Sequence, residues 1–336
     1  MKRTKILGVG IIFIFALAIF IALSSKLFPD SSSILTHVTK VASSEEISPM
    51  FIEVLRARDY PASEMIIEET LEPGTNYNRY VASYQSDGFK VYGLLTIPTA
   101  PKPENGFPTI IFLHGYIAPS RYVTTQDYVA SQDGLARNGF ITFKPDLRGH
   151  AKSEGQATGA HFSETYVVDT INAVEALKMY EQVDLSRIGV WGHSNGGEIG
   201  LRAMVVSKDI KAGVFWAGVV GSFEDMLETY NAQIPFMRRS QPELITQYGS
   251  PSANPVFWNS IDPYHYLEDV SGPIQLHHGT EDEQVPHELS LSLKTALKRN
   301  GKTVEYYEYE GANHNFSGTA FSLAVERSVN FFRKYL

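Results

Sequence analysis

The stretch GVWGHSNGGEIG, residues 189–200, decides the fold. It places Ser194 between Gly192 and Gly196. A bare G-x-S-x-G is short enough to arise by chance, so its flanks carry the reading. Residues 187–194, RIGVWGHS, are apolar and β-rich, whereas residues 195–206, NGGEIGLRAMVV, read as a helix. Strand, glycine-flanked serine and helix together describe a tight turn that holds a serine hydroxyl out of the chain as a nucleophile. Gly192 and Gly196 suit a turn with no room for side chains at its flanks, and Gly197 lets the helix come close to the sheet. The helix N-terminus adds partial positive charge beside any oxyanion that forms there.

Around this turn the chain alternates between strand and helix. RYVASYQS and FKVYGLLTIP, separated by an Asp-Gly turn signal, read as an antiparallel hairpin. Short β-rich runs follow at 109–115 (TIIFLHG), 140–146 (FITFKPD), 187–194, 211–218 (KAGVFWAG), 274–280 (IQLHHGT) and 304–311 (VEYYEYEG). Amphipathic helical stretches lie at 164–181, 286–299 and 319–335. This alternation predicts an α/β fold, a mostly parallel central sheet flanked by helices, with its site at the carboxyl ends of the strands. Residues 222–265 are too long for a plain connection and are read as a small helical cap over those strand ends.

A serine nucleophile needs a base, and the base needs an orienting acid. HHGTEDEQVP puts Asp282 just past one strand end, and YEGANHNF puts His314 just past the next. Glu281 and Glu283 flank Asp282 as rivals for the acid, and motif position favours Asp282. The chain order Ser, Asp, His and the three strand-end positions match the same turn mechanism. An oxyanion needs two backbone N–H donors. Asn195, next after the serine, is one candidate, and Tyr116, in the loop after IIFLHG, is the other.

These residues carry a resemblance. From about residue 79 to the C-terminus the chain resembles an α/β-hydrolase, and more narrowly the catalytic domain of the prolyl oligopeptidase family with its acylaminoacyl-peptidase and dipeptidyl-peptidase relatives. The motifs are SDGFKVYGLLTIP, FLHGY, DLRGHAKSEG, GHSNGG, HHGTEDEQVP and YEGANHNF, spread over roughly three quarters of the chain. The resemblance implies a Ser194–His314–Asp282 triad, Tyr116 and Asn195 as oxyanion donors, and a serine peptidase acting through an acyl-enzyme. Two departures bear on substrate. Only about 50 residues precede the hydrolase after the N-terminal apolar run, too few for the β-propeller of large members. Asn195 stands where peptidase members often carry tyrosine, and no acidic pair stands out to bind a peptide amino terminus. Both favour an alternative, a carboxylesterase acting on small acyl esters. An alternative of another class is a non-catalytic binding protein that has kept the hydrolase shape.

Bulk properties narrow the field. The chain has 336 residues, is 43% hydrophobic and 20% charged, and carries a formal net charge of −8, which disfavours a nucleic-acid partner. It has no cysteine, which removes disulfides and thiol chemistry. No P-loop or dinucleotide fingerprint is present, so no cofactor is expected. His277 and His278 look like metal ligands, but adjacent strand residues face opposite ways, and no metal is expected. His193 is read as packing in the turn, and Arg148 and His150 as loop structure behind the site. In the cap, Phe236, Phe257 and Trp258 are candidates for the substrate pocket, for a small ester or a short peptide; with Tyr230 they serve equally as cap core.

The N-terminus is distinct. After Lys2, Arg3 and Lys5, residues 6–23 form an uncharged apolar run of 18 residues. As a helix it would be roughly 27 Å long, about a membrane span. Residues 1–25 are therefore expected to be a membrane anchor or a signal peptide cut near residues 22–24. With the basic residues first, the positive-inside rule sends the rest of the chain outside the cytoplasm, membrane-anchored or secreted. Residues 26–75 are expected to be a tether and extension, and 76–336 the hydrolase domain.

Overall fold

A computed structural model describes residues 47–159 and 161–336, except the side chains of Pro235, Phe236, Met237 and Arg239. The N-terminal apolar run lies outside the described residues. Among those described, no helix is long and apolar enough to cross a membrane.

Among the described residues nine strands form one sheet in the order β1-β2-β3-β5-β4-β6-β7-β8-β9. They are β1 (Ile66–Leu71), β2 (Tyr77–Ser86), β3 (Phe89–Pro98), β4 (Phe107–Leu113), β5 (Ile141–Pro145), β6 (Val183–His193), β7 (Ile210–Trp216), β8 (Ile274–Gly279) and β9 (Val304–Tyr309). The first three strands pair antiparallel, and β3 meets β5 antiparallel. From β5 to β9 every pairing is parallel. The β2–β3 hairpin turns at Asp87 and Gly88, both at positive φ (53° and 78°), as a tight two-residue turn requires.

The parallel strands inside the sheet are buried on both faces, whereas the edge strand β9 is half-buried, and the inner strands' side chains alternate between two cores. In β4, Ile111 and Leu113 face one core while Ile110 and Phe112 face the other. The first core is closed by α1 (Ile52–Ala57), α3 (Thr165–Lys178), α4 (Asn195–Val206) and α7 (Glu288–Arg299). The second is closed by α2 (Val129–Ala136) and α8 (Gly318–Tyr335). Between β7 and β8 lie a π-helical turn (Asp225–Thr229), α5 (Pro235–Tyr248), α6 (Pro255–Ile261) and a 3₁₀ segment (Pro263–Asp269), the helical cap. The cap has its own core around Phe223, Leu227, Phe257, Trp258 and Ile261.

The N-terminal side of the domain differs from expectation. The compact unit begins at Pro49, so residues 49–75 belong to it rather than to an extension. Ile52 and Leu55 of α1 are in the first core, and β1 is a strand within the segment expected to be an extension. β1 reads IIEETL, is largely exposed, and pairs only with β2 at the sheet edge. An edge strand with neither face buried has no alternation to betray it.

The turn at Ser194 follows the sequence reading closely. Ser194 sits between β6 and α4 at φ 54° and ψ −120°, a conformation that costs a non-glycine residue roughly 1–3 kcal/mol. The surrounding backbone holds it there. Ser194 N–H donates to Trp216 O at 3.0 Å, and Ser194 O accepts from Gly197 N–H at 2.9 Å and Val219 N–H at 3.1 Å. A Cβ on Gly196 would lie 2.1 Å from Leu113 O, and one on Gly192 would lie 2.2 Å from Gly196 O. Both clashes are with backbone, so neither can be relieved by a rotamer. Gly196→Ala should therefore cost about 1–3 kcal/mol and lower turnover, read as a lower urea midpoint and a lower kcat. An unchanged midpoint would show that the turn is looser than described.

Candidate active site

Because β4, β6, β8 and β9 run parallel, their carboxyl ends share one edge of the sheet. The loop after β4 brings Gly115 and Tyr116, the turn after β6 brings Ser194, and the loops after β8 and β9 bring Asp282 and His314. Ser194, Asn195, Tyr116 and His314 line one cavity of about 720 Å³. Asp282 stands behind His314.

His314 Nδ1 donates to Asp282 Oδ2 at 2.8 Å, with both side chains almost fully enclosed (4% and 1% exposed). Asp282 Oδ1 accepts from the N–H groups of Gln284 and Val285, each at 2.9 Å. His278 Nε2 adds a contact to Oδ2 at 3.1 Å. Burial pushes the Asp282 carboxyl up. The hydrogen bonds from His278 and His314 outweigh it and hold the group well below the usual carboxylate range. Glu281 and Glu283 are exposed, and Glu283 accepts from the His314 backbone N–H, at 3.3 Å, rather than from its ring. Asp282 is thus the carboxylate on the His314 ring.

The β4 loop passes hard against Ser194. A Cβ on Gly115 would lie 3.1 Å from Ser194 Cβ. Gly115 N–H is already engaged, donating to Tyr128 Oη at 3.0 Å. Tyr116 is the next residue, 72% exposed, and lines the cavity. Asn195 opens α4, so its N–H is one of the donors that a helix start leaves without an intrahelical partner.

The expected pocket residues fare differently. Phe257 and Trp258 do not line the cavity. Phe257 stacks on Tyr248 with ring centroids 4.2 Å apart, and Trp258 Nε1 donates to Gly249 O at 3.1 Å, so both are consumed by the cap core. Tyr230 packs against the same core. The Phe236 side chain lies outside the described residues. The apolar wall comes instead from Phe162, Ile199, Val219 and Ile234. Phe162 meets Trp258 edge-on at 6.4 Å, so the cap core backs this wall without forming it. Phe162 sits in the segment between β5 and α3, which has no strand or helix pattern to mark it.

Other histidines and the loop arginine also find places. His277 and His278 face opposite ways: His277 contacts Tyr309 Oη and Gln275 Oε1, each at 2.7 Å, and His278 contacts Ser290 Oγ at 2.7 Å. Arg148 forms a buried ion pair with Asp169 at 2.6 Å behind the site, while His150 reaches the cavity wall. Burial lowers His114, His161 and His193 to about 3, so all three are neutral at physiological pH. Among the described residues no Asp, Glu, Lys or Arg lines the cavity, and no cluster of His, Asp and Glu could hold a metal ion.

Comparison with known proteins identifies the family. The prolyl oligopeptidase family matches residues 127–336. The uncharacterized peptidase YtmA of Bacillus subtilis is 29% identical over 255 residues, 75% of this chain and 93% of that protein. An acetyl xylan esterase from Paenibacillus sp. R4 superposes with TM-score 0.66 at 19% identity, covering 85% of this chain and 92% of its own. A puromycin-hydrolyzing peptidase of Mycobacterium tuberculosis superposes with TM-score 0.63 at 22% identity, covering 79% of this chain and 40% of its own. At these identities the two structures speak for the α/β-hydrolase fold alone, and the chain spans well under half of the mycobacterial peptidase. The family match covers most of the chain: this protein belongs to the prolyl oligopeptidase family and is a serine hydrolase.

Proposed function

We propose that Ser194, His314 and Asp282 form the catalytic triad of this hydrolase, and that it cleaves amide or ester bonds through an acyl-enzyme. The observation that carries the reading is the 2.8 Å contact of His314 Nδ1 with Asp282, on a ring that faces the same cavity as Ser194. Ser194 Oγ attacks the carbonyl carbon while His314 Nε2 takes the hydroxyl proton. The oxyanion is held by the N–H groups of Tyr116 and Asn195. As the tetrahedral species collapses, His314 gives the proton to the departing amine or alcohol. Water then attacks the acyl carbon as it loses a proton to His314, and His314 returns that proton to Ser194 Oγ as the acid departs. Asp282 keeps its negative charge throughout, because donors occupy both its oxygens and favour the ionised form.

For substrate, a short peptide is the first reading, supported by membership of the prolyl oligopeptidase family and by the likeness to YtmA. An ester is the second. Among the described residues the cavity wall carries no charged side chain and so no carboxylate to pair with a peptide ammonium group, which favours small neutral acyl groups. We also propose that residues 1–25 anchor or export the chain, leaving the hydrolase outside the cytoplasm. The basic start and the apolar run of residues 6–23 support this.

Ser194→Ala should lower kcat by about 10⁴-fold or more with the urea midpoint of the parent. A parallel panel of aminoacyl p-nitroanilides and p-nitrophenyl acyl esters checks this and separates the two substrate readings by kcat/KM. Near-parental turnover by the variant would remove Ser194 from the mechanism. For location, membrane fractionation with N-terminal sequencing should find either an intact chain in the membrane or a mature form starting near residue 25. A cytosolic product beginning at Met1 would overturn that proposal.

A further inference from the structure

Three loops meet at the proposed site, and one chain of hydrogen bonds joins them. Gly115 N–H donates to Tyr128 Oη at 3.0 Å. Tyr128 Oη lies 2.7 Å from His193 Nδ1. His193 Nε2 lies 3.0 Å from the backbone oxygen of His314. Each protein end of this chain is one covalent step from a proposed catalytic element. Gly115 precedes Tyr116, His193 precedes Ser194, and the last acceptor is the carbonyl of His314 itself.

The direction of every proton follows from elementary chemistry. A backbone carbonyl only accepts, so His193 Nε2 carries a hydrogen and donates it. Burial keeps the ring neutral, so Nδ1 is bare and accepts. The donor facing it is the Tyr128 hydroxyl. That hydroxyl, having spent its hydrogen on His193, uses a lone pair for Gly115 N–H. Any other assignment leaves two donors or two acceptors face to face in a closed space.

The packing leaves little slack. A Cβ on Gly115 would lie 2.4 Å from Tyr128 Oη and 3.1 Å from His193 Nδ1. The Tyr128 ring is set edge-on to Phe112 at 6.0 Å and to Trp191 at 6.4 Å, aromatics of β4 and β6. Tyr128 itself adopts φ 60° and ψ 11° at the start of α2, a left-handed conformation unusual for a bulky residue. A strained backbone that aims one hydroxyl at two loops is a feature to be explained.

We infer that Tyr128 and His193 are positioning residues that set the oxyanion loop, the nucleophile turn and the His314 loop at fixed distances from one another. The inference rests on the proposed triad and oxyanion donors. Removing the Tyr128 hydroxyl would leave Gly115 N–H and His193 Nδ1 without partners and free the β4 loop to drift. The loss should fall on the transition state, where N–H donors must meet an oxyanion within a few tenths of an ångström.

The test is Tyr128→Phe, His193→Asn and the double variant, assayed on the best substrate of the panel. Phenylboronic acid, which forms a tetrahedral adduct with a serine nucleophile, serves as the transition-state probe. Tyr128→Phe should lower kcat about 10- to 100-fold with KM within about twofold, and should raise the boronate Ki by a similar factor. The double variant should be about as impaired as the worse single one, because both break one chain. The inference is overturned if Tyr128→Phe keeps kcat and boronate Ki near parental values. It is also overturned if the two single effects multiply, or if losses follow only the fraction of folded protein. Failure of the triad reading looks different: Ser194→Ala would then stay active, whatever Tyr128→Phe does.

Discussion

The carbonyl oxygen of Leu113 occupies the space where a side chain on Gly196 would begin, 2.1 Å from the ideal Cβ position. Everything about the site depends on that closeness. It lets α4 start directly against the end of β4, which brings the loop after β4 beside the serine. It forces the chain to reverse within one residue, which puts Ser194 at φ 54°. The strain at Ser194 is held by hydrogen bonds to Trp216, Gly197 and Val219, so the parallel pairing of β6 with β7 is part of the site as much as of the fold. Core packing around the strands fixes the sheet, the sheet fixes the strand ends, and the strand ends fix the residues of the proposed site.

Electrostatics then divides the labour. Asp282 is enclosed yet strongly ionised, because four donors meet its two oxygens: the rings of His314 and His278 and the N–H groups of Gln284 and Val285. His193 is enclosed and neutral, because burial acts on it without a carboxylate in contact. Two imidazoles whose centroids are 4.7 Å apart, His193 and His314, thus have different surroundings: one is bound to a carboxylate, the other bridges a hydroxyl and a carbonyl. Sequence position alone does not tell these roles apart; their hydrogen-bond partners do.

How much was legible in the sequence follows from what each signal measures. The inner parallel strands were visible as dense apolar runs because both of their faces are buried, and the hairpin was visible through Asp87-Gly88. Asp282 and His314 were visible because their strands end just before them. The edge strand β1 was not, because IIEETL is exposed on both faces and has no period. Phe257 and Trp258 were expected at the pocket because they are aromatic and lie in the cap. Composition cannot say which way a ring turns, and these turn inward on Tyr248 and Gly249. Phe162 and Tyr128 were missed because a side chain that reaches a site from an irregular segment, or from a strained helix start, leaves no pattern. His278 was read correctly as facing away from His277, but its contact with Asp282 is tertiary.

The central claim is that Ser194 is a nucleophile activated by His314. The most direct measurement is covalent labelling of the full-length protein with a fluorophosphonate probe, followed by peptide mass spectrometry, for the parent and for His314→Ala. The account predicts a single labelled residue, Ser194, in the parent and loss of at least about 99% of the labelling rate in the variant. Labelling at another residue, or equal labelling without His314, would contradict it.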